Sequence, residues 1–199
     1  MSKVFLYLQS TTCRAWYSSK RFSQMAARKE PVKLDANGLW DYALRVLARR
    51  PHSVSELKTK LGRRANTPAD VTQTLAKLRE YGLTNDRKFS EAFASTRLQN
   101  QGHGRFRVLR DLRARRVAPE VAEDAIKKTF KDTDELELIQ QYLDRKYRGR
   151  DLGAMLQEEK TLAAVYRRLR LAGFSSGNSL TVLRRYKQDI ADVNEQAEE

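Results

Sequence analysis

From Asp35 onward the apolar positions recur with a helical period. Trp40, Ala43, Leu44 and Leu47 fall at i, i+3, i+4 and i+7, the spacing that puts side chains on one face of an α-helix. Pro51-His52-Ser53 stops that helix, and Ser53 with Glu56 three residues on is a capping box for the next. Val54, Leu57 and Leu61 form the inward face of this second helix. Thr67-Pro68 supplies a cap and a first-turn proline for a third. Val71, Leu75 and Leu78 point inward there, and Gly82 closes it. Three short helices with tight turns make a helix-turn-helix-like unit.

A second unit starts at Asp86, an expected N-cap, with Phe89, Ala92 and Phe93 as an aromatic stripe. Gln101-Gly102-His103-Gly104 ends that helix; Val108, Leu109 and Leu112 line the next, and Pro119 opens a third containing Ala122 and Ile126. A third unit runs from Asp134 through Ile139, Tyr142 and Leu143. After a polar insertion at 148–160 come Leu162, Val165, Tyr166 and Leu169, then Leu180, Leu183 and Tyr186. No strand-like alternation competes. The fold expected is all-α, with three tandem three-helix repeats in an elongated, curved array.

The repetition is visible in the residues. Leu112-Arg113-Ala114-Arg115-Arg116-Val117-Ala118-Pro119 has counterparts in Leu61-Gly62-Arg63-Arg64-Ala65-Asn66-Thr67-Pro68 and in Leu169-Arg170-Leu171-Ala172-Gly173-Phe174-Ser175-Ser176. Each copy ends a helix on leucine and starts another seven positions later. Leu75, Ile126 and Leu183 follow fourteen positions after the leading leucines, and the copies stand 51 and 57 residues apart. Spacing of this order marks an array of similar modules. The expected boundaries are a leader at 1–35, modules at 36–85, 86–132 and 133–188, and an acidic tail at 189–199.

Charge adds a partner class to this scaffold. The 199 residues carry 39 Lys+Arg against 25 Asp+Glu, a formal charge of +14. A balance this basic favours anionic partners: nucleic acid, an acidic protein surface or anionic lipid. No apolar run approaches the roughly 20 residues needed to cross a bilayer, so no membrane partner is expected. Cys13 is the only cysteine, which excludes an intrachain disulfide and fits a cytoplasmic setting. No acid precedes Glu30, a composition shared by organellar transit peptides. The plainer expectation is an unstructured leader, or a true start at Met25-Ala26-Ala27-Arg28-Lys29.

Two stretches carry a resemblance. Ala43-Leu44-Arg45-Val46-Leu47-Ala48-Arg49-Arg50-Pro51-His52-Ser53-Val54-Ser55-Glu56-Leu57 resembles the opening signature of the RecX family of regulatory proteins. Gly82-Leu83-Thr84-Asn85-Asp86-Arg87-Lys88-Phe89-Ser90-Glu91-Ala92-Phe93 is similar to that family's link into its second module. Arg97, Asp111-Leu112 and Val117 continue the pattern, and Arg168-Leu169-Arg170-Leu171-Ala172-Gly173-Phe174-Ser175 carries it into the third. Arg105 stands where a proline is common, and Arg116 where a glycine is common. The resemblance implies a bacterial-type protein that binds the RecA recombinase filament and modulates it, usually as an inhibitor; a monomer with weak, non-specific DNA binding and no cofactor is expected beside it.

The basic residues provide the candidate surface. Arg105, Arg107, Arg110, Arg113, Arg115 and Arg116 crowd the second helix of module two, opposed only by Asp111. Spacing offers Asp111 to Arg115 as an i,i+4 pair, leaving the others free, with Arg107 and Arg110 pointing outward. A second cluster is Arg167, Arg168, Arg184 and Arg185, with Arg170 beside it and Tyr166 and Tyr186 interleaved as packing rings. Module one contributes Lys58, Lys60, Arg63 and Arg64. The alternative function is a helix-turn-helix transcription regulator. Against it, the first turn of module two's third helix bears Glu120, Glu123 and Asp124, which repel phosphate. Module three offers Ser176, Asn178, Ser179 and Thr181 in that place. No enzyme is expected: His52 and His103 stand alone as turn residues, no metal set is in evidence, and no phosphate-binding loop motif occurs.

Overall fold

The computed structural model describes residues 33–197, with side chains as far as Lys187. The expectation for residues 1–35 falls almost wholly outside that range. At its edge, Leu34 is tied into module one: its N–H donates to the Arg64 carbonyl at 2.7 Å, and its carbonyl accepts from Asn66 at 3.0 Å. Among the described residues the fold is all-α, and no helix is long and apolar enough to cross a membrane.

Module one consists of α1 (Ala36–Arg49), α2 (Val54–Gly62) and α3 (Pro68–Glu80). Asp35 caps α1, while reciprocal capping boxes at Ser53/Glu56 and Thr67/Asp70 start α2 and α3. Leu39, Ala43, Leu57, Leu61, Ala65, Val71 and Leu78 form the core. The apolar face of α1 is rotated from the one expected. Leu39 and Ala43 are fully buried, whereas Leu44 is exposed and Trp40 sits at the rim against Tyr81. One residue along a helix turns the side chain by about 100°, so burying Ala43 leaves Leu44 outside.

Module two consists of α4 (Asp86–Gln101), α5 (Arg105–Ala114) and α6 (Pro119–Thr129), with Phe89, Ala94, Val108, Leu112 and Ala122 in its core. Asn85, not Asp86, caps α4 by accepting from Lys88 N–H at 3.0 Å. That leaves the Asp86 carboxylate to accept from Val54 N–H at 2.8 Å, on the first turn of α2 in the preceding module. After α5 the chain turns through Arg116, the one non-glycine residue with positive φ (57°) among the described residues. The left-handed conformation brings Cβ too close to the backbone for most side chains.

Module three consists of α7 (Glu135–Lys146), α8 (Leu152–Met155), α9 (Glu159–Ala172) and α10 (Ser176–Ala197). Its core joins Ile139, Leu143, Val165, Leu169, Phe174 and Leu183. The polar insertion is not a mere loop: Asp151 caps α8, and Leu152 and Leu156 are buried in the core. Leu180 is exposed and Val182 buried in its stead. The acidic stretch expected as a tail continues as helix to Ala197.

Arg116→Gly should therefore stabilise the protein by about 0.5–1 kcal/mol, since the relieved backbone strain exceeds the added freedom of the unfolded chain. Urea unfolding measures this, and an equal or lower midpoint for the glycine variant would contradict it.

Candidate binding surface

The junction between modules one and two is built on α2's own cap. Ser53 Oγ accepts from Glu56 N–H at 3.1 Å and donates to the Arg115 carbonyl, 62 residues away, at 2.6 Å. The Glu56 carboxylate caps Ser53 N–H and pairs with Arg50 and with Arg115 at 3.3 and 3.2 Å. Burial alone would raise the Glu56 pKa; the Arg50 hydrogen bond, the Arg115 and Arg50 charges and the Ser53 N–H outweigh it and hold the carboxyl below its ordinary value. Arg115 also lies over the Phe93 ring, 4.8 Å from its centroid.

Backbone meets backbone at the junction between modules two and three. Gly104 N–H donates to the Ala172 carbonyl at 2.9 Å, and Phe106 N–H to the Gly173 carbonyl at 3.1 Å. A Cβ on Gly104 would stand 2.3 Å from Gly173 O, and one on Gly173 would stand 2.1 Å from Arg107 N. The Arg107 and Arg110 guanidiniums donate to the Leu171 carbonyl at 3.4 and 3.2 Å, near the end of α9. Arg145 of module three donates to the Gln101 carbonyl of module two at 2.6 Å.

These contacts change the reading of the arginine-rich helix. Asp111 pairs with Arg107 at 3.2 Å and with Arg97 at 3.9 Å, not with Arg115. Arg115 is drawn away by Glu56, 59 positions earlier in the chain. Arg113 pairs with Glu123 at 3.0 Å, and Arg116 reaches Thr59 Oγ1 at 3.4 Å. Arg107 does not point freely outward but is half-buried at the junction. In the other clusters, Arg168 donates to the Tyr147 hydroxyl at 2.8 Å, and Arg64 lies over the Tyr42 ring. Arg105, Arg167, Arg184, Arg185, Lys58 and Arg63 are exposed and form no ion pair or hydrogen bond with any described residue. Of the candidate cations, those six are the ones without a partner among the described residues.

The residues that would serve base readout in module three are engaged internally. Asn178 Nδ2 donates to Glu135 at 2.6 Å, and buried Ser179 donates its hydroxyl to the Ser175 carbonyl at 2.6 Å. Thr181 Oγ1 donates to the Gly177 carbonyl at 3.1 Å. Tyr166 and Tyr186 pack against the third core, their hydroxyls meeting Ser176 and Asp144 at 2.7 and 3.0 Å. His52 and His103 are titratable groups whose pKa is lowered by burial. No group of three or more metal-ligating side chains occurs among the described residues.

Three small helical cores, two of them built from three helices and the third from four, joined through hydrogen-bonded junctions, define a tandem helical repeat protein. Residues 40–78 match the first three-helix domain of RecX, and residues 85–126 match the second. The regulatory protein RecX of Chromohalobacter salexigens is 36% identical over 126 residues, 62% of this chain and 81% of that protein. RecX of Halorhodospira halophila is 40% identical over 107 residues, covering 52% and 62% of the two chains. The crystal structure of RecX from Lactobacillus salivarius shares the fold, with a TM-score of 0.57 at 18% identity over 77% of this chain and 97% of that one. The chain belongs to the RecX family.

Glu56→Gln should lower stability at pH 7 by roughly 1–3 kcal/mol, because it weakens charge-assisted hydrogen bonds at the first junction. With the folded-state pKa depressed, the Glu56 contribution is fully present above the unfolded value of about 4.5 and fades as pH falls through the folded one. The gap between parent and variant melting temperatures should accordingly narrow below pH 4.5. A gap independent of pH would contradict the assignment.

Proposed function

We propose that this protein binds the RecA recombinase filament and restrains its ATP hydrolysis and strand exchange, so acting on DNA repair and recombination from the cytoplasm. Membership of the RecX family, whose relatives are named regulatory proteins, gives the regulatory class. The observation that carries the reading further is the distribution of unpaired cations over modules held in fixed register. Lys58 and Arg63 lie on module one, Arg105 on module two, and Arg167, Arg184 and Arg185 on module three. Charges spread over successive modules suit a repeating partner with an acidic or DNA-bearing groove, which several modules engage at once. The protein acts as a monomer, without cofactor or catalysis, and its affinity for bare DNA is weak, non-specific and salt-dependent.

The arginines engaged at the junctions, Arg107, Arg110 and Arg115, support the same reading indirectly. They hold the modules together, and the outward cations act through the register so fixed.

The test is recombinase ATP hydrolysis on single-stranded DNA with substoichiometric amounts of this protein. Hydrolysis should slow, and replacing Arg105, Arg167, Arg184 and Arg185 together by alanine should relieve the effect. The exposed positions leave circular dichroism melting within about 0.5 kcal/mol per site of the parent. Unchanged hydrolysis, with binding to one short duplex about 10³-fold tighter than to random DNA, would overturn the reading in favour of a transcription regulator.

A further inference from the structure

The strap between α4 and α5 is Gly102-His103-Gly104, and module three holds it at both ends. Arg145 of α7 donates to the Gln101 carbonyl at 2.6 Å, just before the strap, and Gly104 N–H donates to the Ala172 carbonyl at 2.9 Å, at its close. Neither glycine has room for a side chain. A Cβ on Gly102 would stand 2.6 Å from Arg145 Nη2, and one on Gly104 would meet the Gly173 backbone. His103 therefore supplies the one side chain of the strap, and it is one of two histidines in the chain.

The ring is partly buried, and its Nδ1 is buried with no hydrogen-bond partner. A neutral imidazole can leave that nitrogen as a lone pair, whereas an imidazolium carries N–H on both nitrogens. Protonation thus places an unsatisfied donor inside the seam, which folded proteins avoid because it costs the whole desolvation of the group. The charges around the ring add to that cost. Arg97 of α4, Arg107 of α5 and Arg145 of α7 face it, against the carboxylate of Asp111 on α5. Asp111 is already shared between Arg107 at 3.2 Å and Arg97 at 3.9 Å. The end of α9 presents the Ala172 and Gly173 carbonyls, which are taken by Gly104 and Phe106. Burial first, and then the arginine charges, hold the ring's pKa below its ordinary 6.5. His52 is placed differently: its Nδ1 bonds the Arg50 carbonyl at 2.8 Å, and Arg50, Glu56 and Lys60 around it all belong to its own module.

We propose that His103 is an acid-sensitive latch: the neutral ring lets module three close on the strap, and the protonated ring drives modules two and three apart. Opening breaks the Gly104–Ala172 and Phe106–Gly173 hydrogen bonds and gives both ring nitrogens access to water. With the folded-state pKa lowered, the neutral ring's contribution is fully present above the unfolded value of about 6.5 and is lost as pH falls through the folded one. One proton per opening limits the response to about tenfold per pH unit. An open seam frees Arg167, Arg184 and Arg185 of module three from the register set by module two. The consequence for a partner rests on the filament reading; the opening itself does not.

Amide hydrogen exchange of the full chain without recombinase, corrected for the intrinsic effect of pH on exchange, tests the latch. The Gly104 and Phe106 amides should exchange about tenfold faster or more at about pH 5 than at about pH 7.5, and the His103 ring resonances should titrate below 6.5. His103→Gln cannot take the proton, so exchange at both amides should become independent of pH, with circular dichroism reporting the fold. Arg97→Gln removes a facing cation and neither of the bonds that clamp the strap, so ring titration and seam opening should move together to higher pH. Should His103→Gln misfold, the Arg97 variant decides. His52→Gln is the control and should leave the seam's response as in the parent. Seam amides that exchange alike at both pH values in the parent would overturn the proposal. So would a response that persists in His103→Gln, one that His52→Gln abolishes as well, or a ring titration in Arg97→Gln that moves without the opening.

Discussion

Gly104 and Gly173 approach so closely that neither position has room for a side chain. The carbonyls of Ala172 and Gly173 accept hydrogen bonds from Gly104 and Phe106, so the end of α9 is satisfied by the start of α5. A helix end buried without partners is costly; here the neighbouring module supplies them. Gly173 occupies the left-handed region at φ 94°, which places its carbonyl toward α5. Each module is a small core, and small cores bury too little apolar surface to be very stable alone. The junctions convert separate marginal units into one.

The first junction reaches the same end with side chains. Ser53 and Glu56 satisfy the start of α2, and their remaining capacity is spent on Arg115. Asp86 adds a contact in the opposite direction, from α4 to Val54. Arginine is suited to such places because its planar fork bonds carbonyls and carboxylates while its stem packs. In this chain Arg107, Arg110, Arg115 and Arg145 serve as ties between modules.

Much of the fold is legible in the residues because its signals are local. The Ser53-x-x-Glu56 and Thr67-Pro68 starts, the leucines at recurring spacing and the absence of alternation each lie within one turn or one repeat. The roles of the arginines are not legible in that way. Asp111 has Arg107 and Arg115 at equal sequence distance, and only the position of Glu56 decides which one it keeps. Arg116 was recognisable as a departure from a common glycine, and its positive φ gives that departure a physical cost. The insertion at 148–160 reads as polar because its two buried leucines, Leu152 and Leu156, are too few to set a period. Likewise nothing in the spacing of His52 brings it beside Arg45, Arg49 and Lys60; the packing of α2 against α1 does.

That the modules form one cooperative unit is the claim on which the rest depends, and Gly104→Ala tests it most directly. A methyl group there meets the Gly173 carbonyl at 2.3 Å, backbone against backbone, and cannot be relieved by a side-chain rotation. Thermal unfolding followed by hydrogen exchange of individual amides should show a single transition in the parent, with Gly104 and Phe106 among the protected amides. The variant should melt lower, lose that protection, and unfold module three separately from modules one and two. A single transition at the parent's temperature, with the Gly104 and Phe106 amides still protected, would contradict the account.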